Sequence, residues 1–357
     1  MKLKQILSAL LMSVLCCGSS VAAAEDSQIF LMLSRSHPAE EAQVQFKASG
    51  PTLLFSDSPE MVYHNGILYQ DHVQGKVRLF FHHVNAVEGN KKLAVVLKNE
   101  KMRPLKYKIL RQGVAGKTYN YLWDGKESQR KYFAEAKPKI KTGSLGFDRS
   151  EELLTGKGVI LPHNQLYTGT IDLEVDRPAL LSVFMCEPNS NLELFYSNAS
   201  VQPMDEHPLR GTFANSDWEY TLTKPIDGQK PVKLKLAGSE EGYIKGVDST
   251  TGLPAENYGN YGVMYRINFV VESERPVSFI VNPIGGYFAG YGVLEHKGKR
   301  RLIPIPDYDL RLGSTSAEAV EIASLKSGQY TFRWSPPGAS NLPIELMWRS
   351  SRSHLKH

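Results

Sequence analysis

One dipeptide, Arg-Pro, stands three times at the same place in the same local pattern, and it constrains the fold more than any other feature of the chain. Apolar runs at 93–97, 171–175 and 267–271 are each followed by an acid-containing polar stretch. Next comes Arg103-Pro104, Arg177-Pro178 or Arg275-Pro276, and then a second apolar run. Proline lacks a backbone donor, so it opens a strand but does not sit inside one. The pattern therefore predicts strand, tight connection, strand, and a chain built of antiparallel hairpins.

The first residues read as an address. Lys2 and Lys4 precede an apolar run at 6–15, and Val21-Ala22-Ala23-Ala24 offers small residues before Glu25. This is the order of a secretory signal cleaved after Ala24, with an apolar run too short to span a bilayer. The alternative is a lipid anchor at Cys17, which is followed by the polar tether Gly18-Ser19-Ser20. Either way the expected location is secreted or cell-envelope associated, with no transmembrane span. The full sequence carries a formal charge of +5, and cleavage removes two lysines from it. So mild a basicity, without clustering, argues against nucleic acid as partner. Of three cysteines only Cys186 remains after cleavage, so stability rests on core burial and not on a disulfide.

Beyond the leader (1–24), strand and turn signals continue to the end. Residues 67–73 and 77–84 flank Gln74-Gly75, a candidate two-residue turn. Runs at 92–98 and 104–110, 168–175 and 179–185, and 263–271 and 277–281 form further candidate hairpins, while 218–223 and 232–236 read as single strands. One helix is expected over 125–136, ending at Lys137-Pro138. Leu325, Gly328 and Tyr330 have the spacing of a corner whose tyrosine hydroxyl returns to backbone. A closing strand follows at 344–348, then a basic, disordered tail at 349–357. The fold class is all-β, two antiparallel β-sandwich-like domains with one short helix. The expected division is 25–145 and 146–348, the boundary falling in the glycine-bearing stretch between 135 and 165.

Chemistry is harder to find. His64, His72, His82 and His83 lie close in sequence, but neighbours on a strand point to opposite faces. A metal site using His72 and His82 is therefore only a weak alternative to ordinary surface or core histidines. Residues 282–292 and 257–262 are dense in glycine and tyrosine. Neither leads into a helix, which excludes a phosphate cradle. Tyr258, Tyr261, Tyr287 and Tyr291 could instead offer flat rings to sugars, with Lys299, Arg300 and Arg301 as a basic run beside them. Ordinary turn packing and a charged strand edge are the competing readings. Ser128-x-x-Lys131 and Lys141-Thr142-Gly143 echo penicillin-recognising enzymes but lie too close together, with no third motif between. No Gly-x-Ser-x-Gly occurs, the acidic residues are scattered, and no catalytic residue or cofactor is nominated.

With these residues in view, the chain resembles a group of secreted bacterial proteins often labelled copper amine oxidase-like. The resemblance rests on 78–85, on 111–116, on 167–175, on Arg210-Gly211-Thr212-Phe213 and on 282–290. It implies an envelope-associated β-protein. It does not bring oxidase chemistry: there is no His-x-His, and Thr118-Tyr119-Asn120-Tyr121 and Glu256-Asn257-Tyr258 do not match the quinone-forming pattern. The expected function is a non-enzymatic exported protein that binds or organises cell-envelope glycan or a partner envelope protein. The alternative is an envelope hydrolase whose site is assembled from distant residues.

Overall fold

The computed structural model describes residues 39–156, 159–306 and 318–351. The expected leader, its alternative anchor Cys17, and residues 352–357 of the expected tail lie outside the described residues. Strands dominate, as the strand and turn signals predict, and no described helix is long and apolar enough to cross a membrane.

The fold is organised by one long ladder. Strand β5 (Gly66–Asn85) pairs antiparallel with β11 (Leu166–Cys186) over nearly their whole length. The opposite edge of β11 takes β6 (Lys91–Asn99) along its second half and β7 (Leu105–Gly116) along its first. β6 and β7 thus run end to end in one direction. All three columns break at a single level. Gly75, with φ of 77°, sits opposite Val175, a register shift separates Val175 from Ala179, and residues 100–104 loop out between β6 and β7. The Lys106 backbone N–H donates to Asp176 Oδ1 at 2.9 Å across this break.

This geometry corrects the hairpin expectation. Gln74-Gly75 is no turn, because β5 passes through it. Arg177-Pro178 is a bulge inside β11, and Arg103-Pro104 ends the excursion between β6 and β7. Arg275-Pro276 links β17 (Met264–Val271) in one sheet to β18 (Val277–Pro283) in another. Proline needs only a position whose donor is not required, and a bulge or sheet crossing supplies one as well as a turn does.

Beside β5 lie β3 (Thr52–Ser56), β12 (Arg210–Phe213), β15 (Lys245–Asp248) and β16 (Leu253–Glu256), extending a 12-stranded sheet. Strand periodicity splits its two faces. Val77, Leu79 and Phe81 join Leu54, Leu173 and Val183 in a first core, whereas Phe80, Leu53 and Phe55 reach a second. That second core fills a sandwich. One of its sheets runs β2 (Val44–Ser49), β13 (Asp217–Leu222), β17, β22 (Gly328–Trp334), β19 (Gly290–His296), β20 (Lys299–Ile305). The other runs β1 (Glu40–Glu41), β14 (Val232–Leu236), β23 (Ile344–Ser350), β18, β21 (Val320–Leu325). Phe279 meets Phe332 edge-on across the gap at 5.1 Å and stacks on Trp348, itself fully buried. The Tyr330 hydroxyl donates to the Lys326 carbonyl at 2.9 Å, the corner its spacing suggests.

The sheets divide the chain differently from a cut at 145/146. β11 is the centre of the first sheet, and β1 and β2 belong to the second sandwich. The closing strand continues to Ser350, two residues into the expected tail.

Helix α1 (Tyr121–Ala134) starts four residues before the expected helix because Asn120 caps it, its Oδ1 accepting from the Trp123 N–H at 3.1 Å. Arg111 takes the Tyr132, Glu135 and Ala136 carbonyls, and Arg300 takes Phe133 and Ala134, so two arginines close its C-terminal end. A second helix, α2 (Leu192–Asn198), was not expected; it buries no residue fully and is set by the Asn191 cap.

One buried charge joins the parts. Arg78, 4 % exposed, pairs its Nε with Asp172 Oδ1 at 2.9 Å and its Nη1 with Asp217 Oδ1 at 2.8 Å. The Tyr132 hydroxyl donates to Asp172 Oδ2 at 2.6 Å. Removing one partner of a buried pair strands the other, at a cost of about 3–5 kcal/mol. Asp172→Ala should therefore lower the urea midpoint by a large step, and Tyr132→Phe by a smaller one of about 1 kcal/mol. An unchanged midpoint in Asp172→Ala would contradict the role of Arg78.

Candidate functional site

The seven residues nominated from sequence do not converge. Tyr258 is half exposed and meets Tyr243 edge-on at 5.4 Å. Tyr261 stacks on Phe55 at 6.2 Å and donates to the Ser340 carbonyl at 2.7 Å. Tyr287 is half exposed on another loop. Tyr291 accepts Lys126 Nζ over its ring at 5.6 Å. Arg301 donates to the Ile322 carbonyl at 3.3 Å. The glycine-rich stretch has a packing reason: a Cβ on Gly285 would lie 2.1 Å from the Leu342 backbone, because the loop 335–343 crosses there in contact. His72 bonds Glu100 at 2.7 Å in solvent while His82 is buried elsewhere, and no group of three metal-binding side chains occurs among the described residues.

Lys299 and Arg300 do line a cavity. It is a groove of about 830 Å³ on the outer face of the six-stranded sheet, at the C-terminal end of α1. Arg266, His296 and Lys297 join them, with Thr221, Asn268 and Thr331 as its polar floor. Asn268 donates to Thr221 and accepts from Thr331, so this ladder is fixed across three strands. Glu295, the one carboxylate lining the groove, is paired with Arg333 at 3.1 Å. Burial and the neighbouring Arg111 hold the Arg300 guanidinium below its ordinary pKa. Cations thus outnumber carboxylates along the groove, with Glu219 beside its floor accepting from the Asn268 amide at 2.8 Å.

A second cleft, of about 670 Å³, is opposite in character. Its walls are Asp57 and Glu60 from the link between β3 and β4 (Met61–Val62), Tyr119 to Leu122 at the start of α1, His207, Tyr261, and residues 338–341. Asp205 ties the first wall by accepting from Ser58 Oγ at 2.8 Å, the Glu60 N–H at 2.7 Å and the His207 N–H at 3.1 Å. Beneath it Arg210 is buried, bonded to Asp248 Oδ2 at 3.0 Å and the Gln202 carbonyl at 2.8 Å. Desolvation first, then Glu60, pushes the Asp57 carboxyl well above the usual range; Glu60 is raised by desolvation and Asp205. Short turn-like runs such as Asp57-Ser58-Pro59-Glu60 give no sequence signal beyond a turn, so this pair went unseen.

His82 is the floor. Thr168 Oγ1 donates to the Phe81 carbonyl at 3.0 Å, so it accepts from His82 Nδ1–H at 3.1 Å. That leaves Nε2 as a lone pair, 3.8 Å from Glu60 Oε1. Burial lowers the His82 pKa to about 3, so this contact is no ion pair at neutral pH. A Cβ on Gly338 would lie 2.6 Å from His82 Nδ1, so the crossing loop rests on the ring. His83, on the opposite face, donates from Nδ1 to the Pro59 carbonyl at 2.9 Å and accepts from Ser56 Oγ at 2.8 Å. This serine–histidine pair is sealed, both residues being wholly buried.

No protein-family model matches the sequence, and no curated protein matches it. Among solved structures, an allantoicase shares 9 % identity over 85 % of this chain and 91 % of its own, with a TM-score of 0.16. Vicilin from Solanum lycopersicum (tomato) shares 10 % over 84 % and 85 %, with a TM-score of 0.13. Likeness at this level carries no argument about function.

Burial also lowers the His83 pKa to about 4. Unfolding returns both histidines toward 6.5, so the unfolded chain binds more protons below that pH. Their contribution to stability is complete above pH 6.5 and is lost on acidification toward the folded values, by up to about 1.4 kcal/mol per pH unit for each. Asp57 and Glu60, raised in the fold, act with the opposite sign. From pH 7 to 5 the urea midpoint of the parent protein should change more unfavourably than that of His82→Gln; parallel profiles in the two contradict neutral burial of His82.

Proposed function

We propose that this chain is an exported, non-enzymatic envelope protein that binds a polyanionic glycan in the basic groove. The observation that carries the reading is the lining itself: Arg266, Lys297, Lys299 and Arg300 converge over a fixed polar floor, and the one carboxylate among them is already paired. Lys297 and Lys299 are exposed at the tip of the β19–β20 hairpin, where a polymer can reach them. Groups of like charge on a concave surface attract an extended anion and lose that attraction as salt screens them. A second reading, cleavage of envelope polymer, is favoured by the convergence of Asp57 and Glu60 in the other cleft; polymer breakdown abolished by Glu60→Gln would establish it.

Co-sedimentation with purified anionic wall glycan across a salt series tests the first reading, with uncharged dextran as control. Binding should weaken with salt. It should drop on the order of tenfold in a Lys297→Ala, Lys299→Ala double variant, each exposed cation being worth about 0.3–1 kcal/mol. No sedimentation at low salt, or equal sedimentation with dextran, defeats it.

A further inference from the structure

We propose that the acidic cleft is a second binding site, for an uncharged, hydroxyl-rich sugar, with His82 Nε2 on its floor as the acceptor. The inference is independent of the groove, and it starts from two atoms that lack partners. His82 is 3 % exposed, its Nδ1–H is committed to Thr168, and its Nε2 is within hydrogen-bonding distance of nothing among the described residues. Asp57 Oδ1 is likewise buried without a partner. Buried polar atoms in proteins are normally satisfied, and exceptions in a cleft mark where an outside group docks. His82 Nε2 can only accept, so the group that docks on it must donate. A hydroxyl does so without bringing charge.

The walls agree. Tyr119, Tyr121 and Tyr261 offer ring faces, and Asn341 and Asn120 offer side-chain amides; the Asn120 oxygen is used by the helix cap, which leaves its amide hydrogens to give. Rings flanking a few polar groups, in a volume within the roughly 300–1,000 Å³ of small-ligand sites, suit a short oligosaccharide. Charge narrows the class. Among the described residues no lysine or arginine lines the cleft, so they offer an anionic polymer no counter-charge there. The groups facing His82 are Glu60 from the β3–β4 link, Thr168 from β11 and Gly338 from the crossing loop, with His207 farther out on the rim. The carboxyls Asp57 and Glu60 are held toward their neutral forms, which weakens any claim of a cation.

The test uses the full mature chain and saturation-transfer NMR with three neutral trisaccharides, chitotriose, cellotriose and maltotriose. De-N-acetylated chitotriose serves as a cationic probe and polygalacturonate as an anionic one. At least one neutral trisaccharide should receive saturation, with affinity about three- to tenfold weaker in Tyr119→Ala and in Asn341→Ala. Both are surface-accessible positions, so the variants keep the fold, and their binding of anionic wall glycan should stay unchanged. The imidazole nitrogen spectrum should show His82 as the Nδ1–H tautomer. Transfer to none of the neutral sugars, transfer to the cationic or anionic probe alone, neutral binding indifferent to both substitutions, or an Nε2–H tautomer each overturns the proposal.

Discussion

A single guanidinium sets the relation between the parts of this molecule. Arg78 lies on the face of β5 that meets the second sandwich, and its counter-charges come from β11 and β13, the first of them braced by a phenol on α1. A buried cation is tolerable only when its partners arrive in good geometry. The first sheet therefore accepts Arg78 only if the helix and the second sandwich dock in one register. His82 sits four residues farther along the same face. The position of the acid cleft is thus a by-product of the same docking, since its floor is strand β5 and its far wall is the loop 338–341 that the second sandwich lays over it.

The two cavities divide the electrostatics between them. The groove gathers cations at the end of α1, where Arg111 and Arg300 also answer the partial negative charge of the helix C-terminus. The cleft opens at the other end of the same helix, beside carboxyls and the capping Asn120. One helix thus spans from a cation-lined groove to a cleft flanked by carboxyls.

The fold class was legible because alternation survives in strands such as β13, β17 and β22, whose inward residues are apolar one in two. The Tyr330 corner was legible for the same reason, being a purely local device. The Arg-Pro repeats were not, because a bulge, a strand break and a sheet crossing have the composition of a tight turn. What distinguishes them is a partner far away in sequence, as Val175 is for Gly75. The same limit applied to the sites. Tyr261 was picked for its glycine-rich surroundings and does line the cleft, but Gly285 owes its place to the Leu342 backbone pressing on it. Asp57 and Glu60 gain meaning only when α1 and the crossing loop close over them.

The first two strands carry a consequence for how such a chain is made. β2 pairs with residues 217–222 and β1 with residues from 232, so the earliest described segment completes the last sandwich. During synthesis these residues emerge long before their partners exist, and contacts so distant in sequence are slow to form. The molecule is therefore sewn shut by its beginning: until residues 217–233 have been made, residues 40–49 have no edge to join, and the second sandwich cannot close as a separate unit.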